Sequence, residues 1–302
     1  MRPVGKSLTA HQAAVAAKET IIVTTLRLWF STIKTTLTNL PALAVFALVY
    51  ALLVAAFFKF IWTREATVWQ VFITYVLMVL IPALFFIFQA TIIDRVRDQK
   101  FRWPAILIDA VKFFVASIPM LLLAWLIAYL LNKWQLRYPA PTLPSLPIGS
   151  GPPTPQPAHW PSLIFATLRF VLLGVALPLT TIHVWIAIAG GEVRNLFAGG
   201  AASFFKRLSA AMTRAFASES VLIYALGLLL FFVIPYAVLF IPFTPKGNKT
   251  DFAFLILRLA LTFVFGLIGW VVTISALTRN SRETSPDTPP ERSPAVAVEA
   301  AA

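Results

Sequence analysis

Two arginines, Arg169 and Arg258, sit inside long apolar stretches, where a charge is expensive. A guanidinium offers a planar fork of donors suited to a phosphate-type oxyanion. Counting about 1.5 Å per helical residue from Trp160 and Asp251 places the two cations roughly 10–13 Å down their helices. Tyr75 occupies the corresponding position of an earlier apolar stretch. Tyr75, Arg169 and Arg258 are therefore candidates for one outward-facing site for an anion or lipid headgroup. The competing reading, and the weightier one, is that each arginine snorkels to outer-leaflet headgroups. No Asp or Glu lies deep within these stretches to neutralise either cation, and Glu65 and Asp251 stand only at outer ends.

His183 and Gln89 are the other polar side chains at comparable depth. A proton relay through His183 would need titratable neighbours. An interhelical hydrogen bond is the expected use of both residues. Pro82, Pro178 and Pro235 fall in mid-stretch and read as kinks.

Signatures of soluble catalysis are missing: there is no HExxH, no GxSxG, no phosphate loop and no dinucleotide fingerprint. His11, His159 and His183 are scattered and cysteine is absent, so neither a metal site nor a cysteine nucleophile is expected. Gly190-Gly191 and Gly199-Gly200 flank Glu192 and Arg194 in what reads as a hinge in a loop. The chain is expected to be non-enzymatic and to need no cofactor.

The elements that must position these residues are hydrophobic. With 302 residues, 59% hydrophobic and 12% charged, the composition is that of a polytopic membrane protein. A bilayer core of about 30 Å needs roughly 20 apolar residues in a helix. Six stretches meet this, at about 40–60, 68–93, 113–131, 161–188, 220–243 and 252–277. The expected class is all-α with six transmembrane helices. Trp62, Trp69, Trp134 and Trp160 gather on one side as an aromatic belt would.

The net charge of +13 is distributed by side. Seventeen Lys and Arg lie before the first span, between spans two and three, after span four and in the tail, against six on the alternate side. The positive-inside rule puts both termini in the cytoplasm, and the expected location is the cytoplasmic (inner) membrane. The basic charge reads as topology and attraction to anionic lipid; a nucleic-acid partner is not expected.

The spans repeat in pairs. Lys34, Lys112 and Arg214 are basic anchors that open the aligned segments leading into spans one, three and five. From anchor to polar position is 41 residues in the first unit (34 to 75), 57 in the second (112 to 169) and 44 in the third (214 to 258). The excess in the second unit is a Pro-rich outer loop at 132–160, expected to be extended. Three units of amphipathic helix plus transmembrane hairpin result, at about 18–93, 94–188 and 192–277. A tail at 1–17 and a disordered tail at 279–302 flank them.

Each amphipathic segment carries a helical stripe. The first has Ile22, Leu26, Trp29, Phe30, Ile33 and Leu37 opposite Arg27, Ser31 and Lys34. The second has Trp103, Ile106, Leu107, Ala110 and Phe114; the third has Phe204, Phe205, Leu208, Met212, Ala215 and Phe216. Such helices lie at a membrane interface, pack on their own bundle, or do both. A protein partner through these helices or the Pro-rich loop is a further expectation.

The basic anchors and six-span plan over residues 18–278 resemble those of bacterial integral membrane families, among them the membrane domain fused to some glycerophosphodiester phosphodiesterases. That resemblance implies a helical membrane domain without its own catalytic site. No phosphodiesterase domain is found in these 302 residues, so it implies no substrate. The expected role is a lipid- or partner-binding membrane organiser with a basic cytoplasmic face. The alternative is a transporter or channel for an anion or lipid headgroup through Arg169 and Arg258.

Overall fold

The computed structural model describes residues 5–63, 67–139, 159–189, 209–210, 212–241 and 248–283. Helix α1 (Gly5–Thr38) leads directly to α2 (Leu40–Trp62), with one non-helical residue, Asn39, between them. The Asn39 side chain accepts a hydrogen bond from the Ala42 amide, and Pro41 occupies the first turn, so the sequence starts a new helix there. Helix α1 begins within the stretch expected to be a tail.

Helix α3 (Val68–Asp98) opens on a reciprocal cap: Gln70 donates its amide to the Thr67 hydroxyl, and the Thr67 amide donates to the Gln70 side chain. It closes at Gln99, in the left-handed region at φ 58°, whose amide reaches the Arg95 carbonyl. Helix α4 (Trp103–Gln135) starts at Pro104 and runs unbroken through Pro119. The second amphipathic segment and its span are thus one continuous helix: Ser117, two residues before Pro119, donates to the Phe113 carbonyl and accepts from Trp185, whereas Asn39, two residues before Pro41, caps a new helix.

The fourth span is α5 (Trp160–Arg169), a π-helical turn (Phe170–Ala176) and α6 (Leu177–Ala187). The fifth is α7 (Ser218–Leu228), a π-helical turn (Leu229–Val233) and α8 (Ile234–Phe240). The sixth is α9 (Asn248–Glu283). Each π turn ends just before a proline, Pro178 or Pro235, where the missing amide donor loosens the ladder. Six helices are long and apolar enough to cross a membrane, and no strand occurs among the described residues. The chain is an all-α, multi-pass membrane protein.

Packing divides the spans into hairpin 1 (α2, α3), hairpin 2 (α4, α5–α6) and hairpin 3 (α7–α8, α9). One end of the bundle carries Lys34, Arg95, Arg97, Arg102, Lys112, Arg214, Arg279 and Arg282, and is called the basic end. The fully buried side chains, among them Phe88, Ile93, Ile106, Phe113, Leu179, Ile223, Ile274 and Leu277, all lie in the half next to it. Towards the opposite end the hairpins keep mainly to themselves. There α5 packs on α4 and α8 on α9, while Leu53 and Ala56 pack against Leu77 and Ile81 inside hairpin 1.

Candidate functional site

At the basic half, the three hairpins are joined pairwise into a ring. Hairpin 1 meets hairpin 2 through Trp185, whose indole takes the edges of Phe85 and Phe86 and stacks on Phe113. The Trp185 Nε1 donates to the Ser117 hydroxyl at 3.0 Å. Hairpin 2 meets hairpin 3 through His183 and Ser220, and through the Tyr224 hydroxyl, which donates to the Gly174 carbonyl at 2.9 Å. Hairpin 3 returns to hairpin 1 through Trp270, whose Nε1 donates to Gln89 Oε1 at 2.9 Å.

His183 and Gln89, each fourteen residues beyond the deep polar position of its unit, both make interhelical hydrogen bonds. The tautomer of His183 follows from its partners. Nδ1 faces the Leu179 carbonyl at 2.9 Å, which can only accept, so the proton is on Nδ1. Nε2 then accepts from the Ser220 hydroxyl at 3.2 Å.

The deep polar positions occupy three separate environments. Arg169 donates through Nη2 to Asn132 Oδ1 at 2.5 Å and Gln135 Oε1 at 2.6 Å, both in the last turn of α4. Arg258 donates to the Ile241 carbonyl at 2.7 Å and the Leu239 carbonyl at 3.4 Å, and lies over the Phe254 ring at 4.8 Å. Those carbonyls end α8 and lack intrahelical donors, so a cation there satisfies them and the helix dipole together. Tyr75 is 66% exposed on the surface of α3. Each arginine is thus bound within its own hairpin, and Tyr75 stands on the third.

The basic anchors Lys34, Lys112 and Arg214 are exposed at the basic end, Lys112 also donating to Asp109 at 2.6 Å. Arg279 reaches Thr32 of α1 at 3.4 Å, and Arg282 the Arg97 carbonyl at 3.2 Å. Helix α1 packs by one edge of its apolar stripe, Trp29 with Ile33, together with threonines beside it. Thr25, Trp29 and Thr32 are buried against the bundle, where α1 meets α9 and α7. The stripe residues Ile22, Phe30 and Leu37 remain 42%, 62% and 42% exposed. At about 100° per residue, the exposed stripe lies roughly 110° around the helix from the packed face, with Arg27 and Lys34 beyond it. The third amphipathic segment falls mostly outside the described residues; of its stripe, Ala215 is buried while Met212 and Phe216 are exposed. The glycine pairs 190–191 and 199–200 and most of the Pro-rich loop also lie outside them.

The sequence reading missed the buried carboxylates at the basic end. Asp94 is 6% exposed and its Oδ2 has no hydrogen-bond partner, while Asp109 is tied to Lys112. Both stand at helix ends, just outside the apolar stretches searched for acids. A signal existed for Asp109 in its place beside Ile106 and Ala110 of the second stripe. Among the described residues, no group of acids, histidines and cysteines could hold a metal ion.

Fold and site together define a polytopic α-helical membrane protein whose deepest polar contacts join one helix to another. No family model, curated protein or solved structure matches the chain.

Proposed function

We propose that this chain is a non-enzymatic protein of the cytoplasmic membrane that binds anionic lipid through its basic, cytoplasmic face and so organises the membrane around it. The observation that carries this reading is the orientation of α1. One face of α1 packs on the bundle, and the adjoining face presents Ile22, Phe30 and Leu37 beside Arg27 and Lys34. Apolar residues flanked by basic ones are what an interfacial helix offers to acyl chains and anionic headgroups. The transport alternative is weaker, because Arg169 and Arg258 are held in separate hairpins and do not converge on one path.

The test is native mass spectrometry of protein from nanodiscs of equal phosphatidylglycerol and phosphatidylcholine. The full-length protein is expected to retain phosphatidylglycerol preferentially, and Arg27→Ser with Lys34→Ser to reduce that preference. Equal retention of the two lipids by the unaltered protein would overturn the reading.

A further inference from the structure

We infer that Arg169 forms a site for the phosphate group of a lipid headgroup at the end of hairpin 2 opposite the basic end, with Asn132 and Gln135 as its positioning residues. The inference goes beyond the basic-face reading, because this site lies at the opposite end of the bundle and stands on its own contacts. Both amide oxygens meet a single nitrogen of the guanidinium, Nη2, at 2.5 and 2.6 Å. They fix its orientation but carry no formal charge, so the cation stays unneutralised. Among the described residues the ion pairs are Arg102 with Asp98 and Lys112 with Asp109, both at the other end of the bundle. Lys133 and Arg137 stand exposed in the same end turn and raise the positive charge further.

The surroundings set the depth. Trp134 and Trp160 are largely exposed on the two helices, and Tyr138 packs against Phe165 across the hairpin at 6.1 Å. Such amphipathic rings settle at headgroup level. An oriented guanidinium there, with its remaining N–H groups not used by Asn132 or Gln135, matches the fork geometry of a phosphate. Arg258 differs in kind: its two terminal nitrogens go to carbonyls that end α8, which makes it a helix cap. Lipid phosphodiesters and free phosphate share the chemistry that Arg169 recognises, so the source has to be separated by experiment.

The experiment uses the full chain in the same mixed nanodiscs, with phosphatidylglycerol as the probe and inorganic phosphate as competitor. In the Arg27→Ser, Lys34→Ser background, Arg169→Gln is expected to lower the remaining phosphatidylglycerol retention roughly tenfold, and Arg258→Gln to leave it within about twofold. Gln135→Glu separates binding from folding. A carboxylate at that position neutralises Arg169 in place, so the lipid is lost while thermal stability is kept or raised. Displacement of the lipid by millimolar inorganic phosphate, dependent on Arg169, would identify free phosphate as an equal ligand; resistance would identify the lipid. Retention unchanged in both Arg169→Gln and Gln135→Glu would overturn the site. If the Arg27 and Lys34 substitutions still reduce retention in that case, the lipid-binding reading survives; if the unaltered protein shows no lipid preference, that reading fails first.

Discussion

The Tyr224 hydroxyl donates to the Gly174 carbonyl, inside the π-helical turn and four residues before Pro178. A proline in a membrane helix leaves such a carbonyl without its usual donor, and hydrocarbon supplies no substitute. A side chain from the neighbouring hairpin donates to it here. Tyr224→Phe is expected to lower stability by about 1 kcal/mol, in the range of measured interhelical hydrogen bonds. Pro178→Ala returns a backbone donor to the same carbonyl, so the loss from Tyr224→Phe should shrink in that background. A double-mutant cycle read by thermal unfolding in detergent checks this, and strict additivity would remove the proline-compensation account.

Two glycines hold spans five and six together. A Cβ on Gly269 would stand 2.7 Å from the backbone nitrogen of Phe231, and one on Gly227 would stand 2.0 Å from the Thr273 hydroxyl. Gly269→Ala must displace backbone, so it should destabilise by roughly 1–3 kcal/mol. Gly227→Ala meets a side chain instead, and adding Thr273→Ala should recover part of its loss. Unfolding midpoints of the three variants decide the matter, with equal damage and no recovery as the contrary result.

Trp270 and Gln89 are unequal partners. Gln89 Nε2 is buried without a hydrogen bond, whereas its Oε1 serves Trp270. Gln89→Met removes that orphan donor together with the acceptor, so its net cost should be under about 1.5 kcal/mol. Trp270→Phe leaves the whole buried amide unpaired and also opens space beside Phe231, so it should cost more. The order of the two in a detergent unfolding series is the readout, and the reverse order would contradict it.

The chain contains no cysteine, so any introduced thiol reports alone. Lys100→Cys lies in the turn between α3 and α4, and Arg137→Cys beyond α4 at the opposite end. In intact cells an impermeant thiol reagent is expected to label position 137 only, and to reach position 100 after permeabilisation. The opposite pattern would invert the proposed topology.

Much of this architecture was legible because a bilayer imposes length and polarity on each helix separately. The six spans could be read from their apolar runs, and the partnership roles of Gln89 and His183 from their isolation at depth. Partner identity was not legible. Nothing in a single sequence aligns Ser220 with His183 or Trp270 with Gln89, since those pairings depend on how helices 37 and 181 residues apart rotate against each other. On the packed face of α1, Trp29 was legible from the stripe, but its threonines were missed for a similar reason. Thr32 accepts from Arg279 and its hydroxyl also serves the Leu28 carbonyl, and Thr25 is buried on the same face, so polarity alone did not mark them as interior. Arg258 as a helix cap was hidden because the end of α8 is a feature of backbone geometry.

The ring of contacts lies in one half of the bundle, while the other halves of the hairpins pair mainly within themselves. The two leaflets therefore meet different objects. In one, the protein presents a cross-section fixed by its own close packing. In the other, Leu52, Leu122 and Ile164 stay exposed, so acyl chains would cover the area that side chains leave open and their lateral pressure would bear on the spacing between hairpins. Thinning or crowding of that second leaflet would change the protein's footprint there without breaking a single contact of the ring.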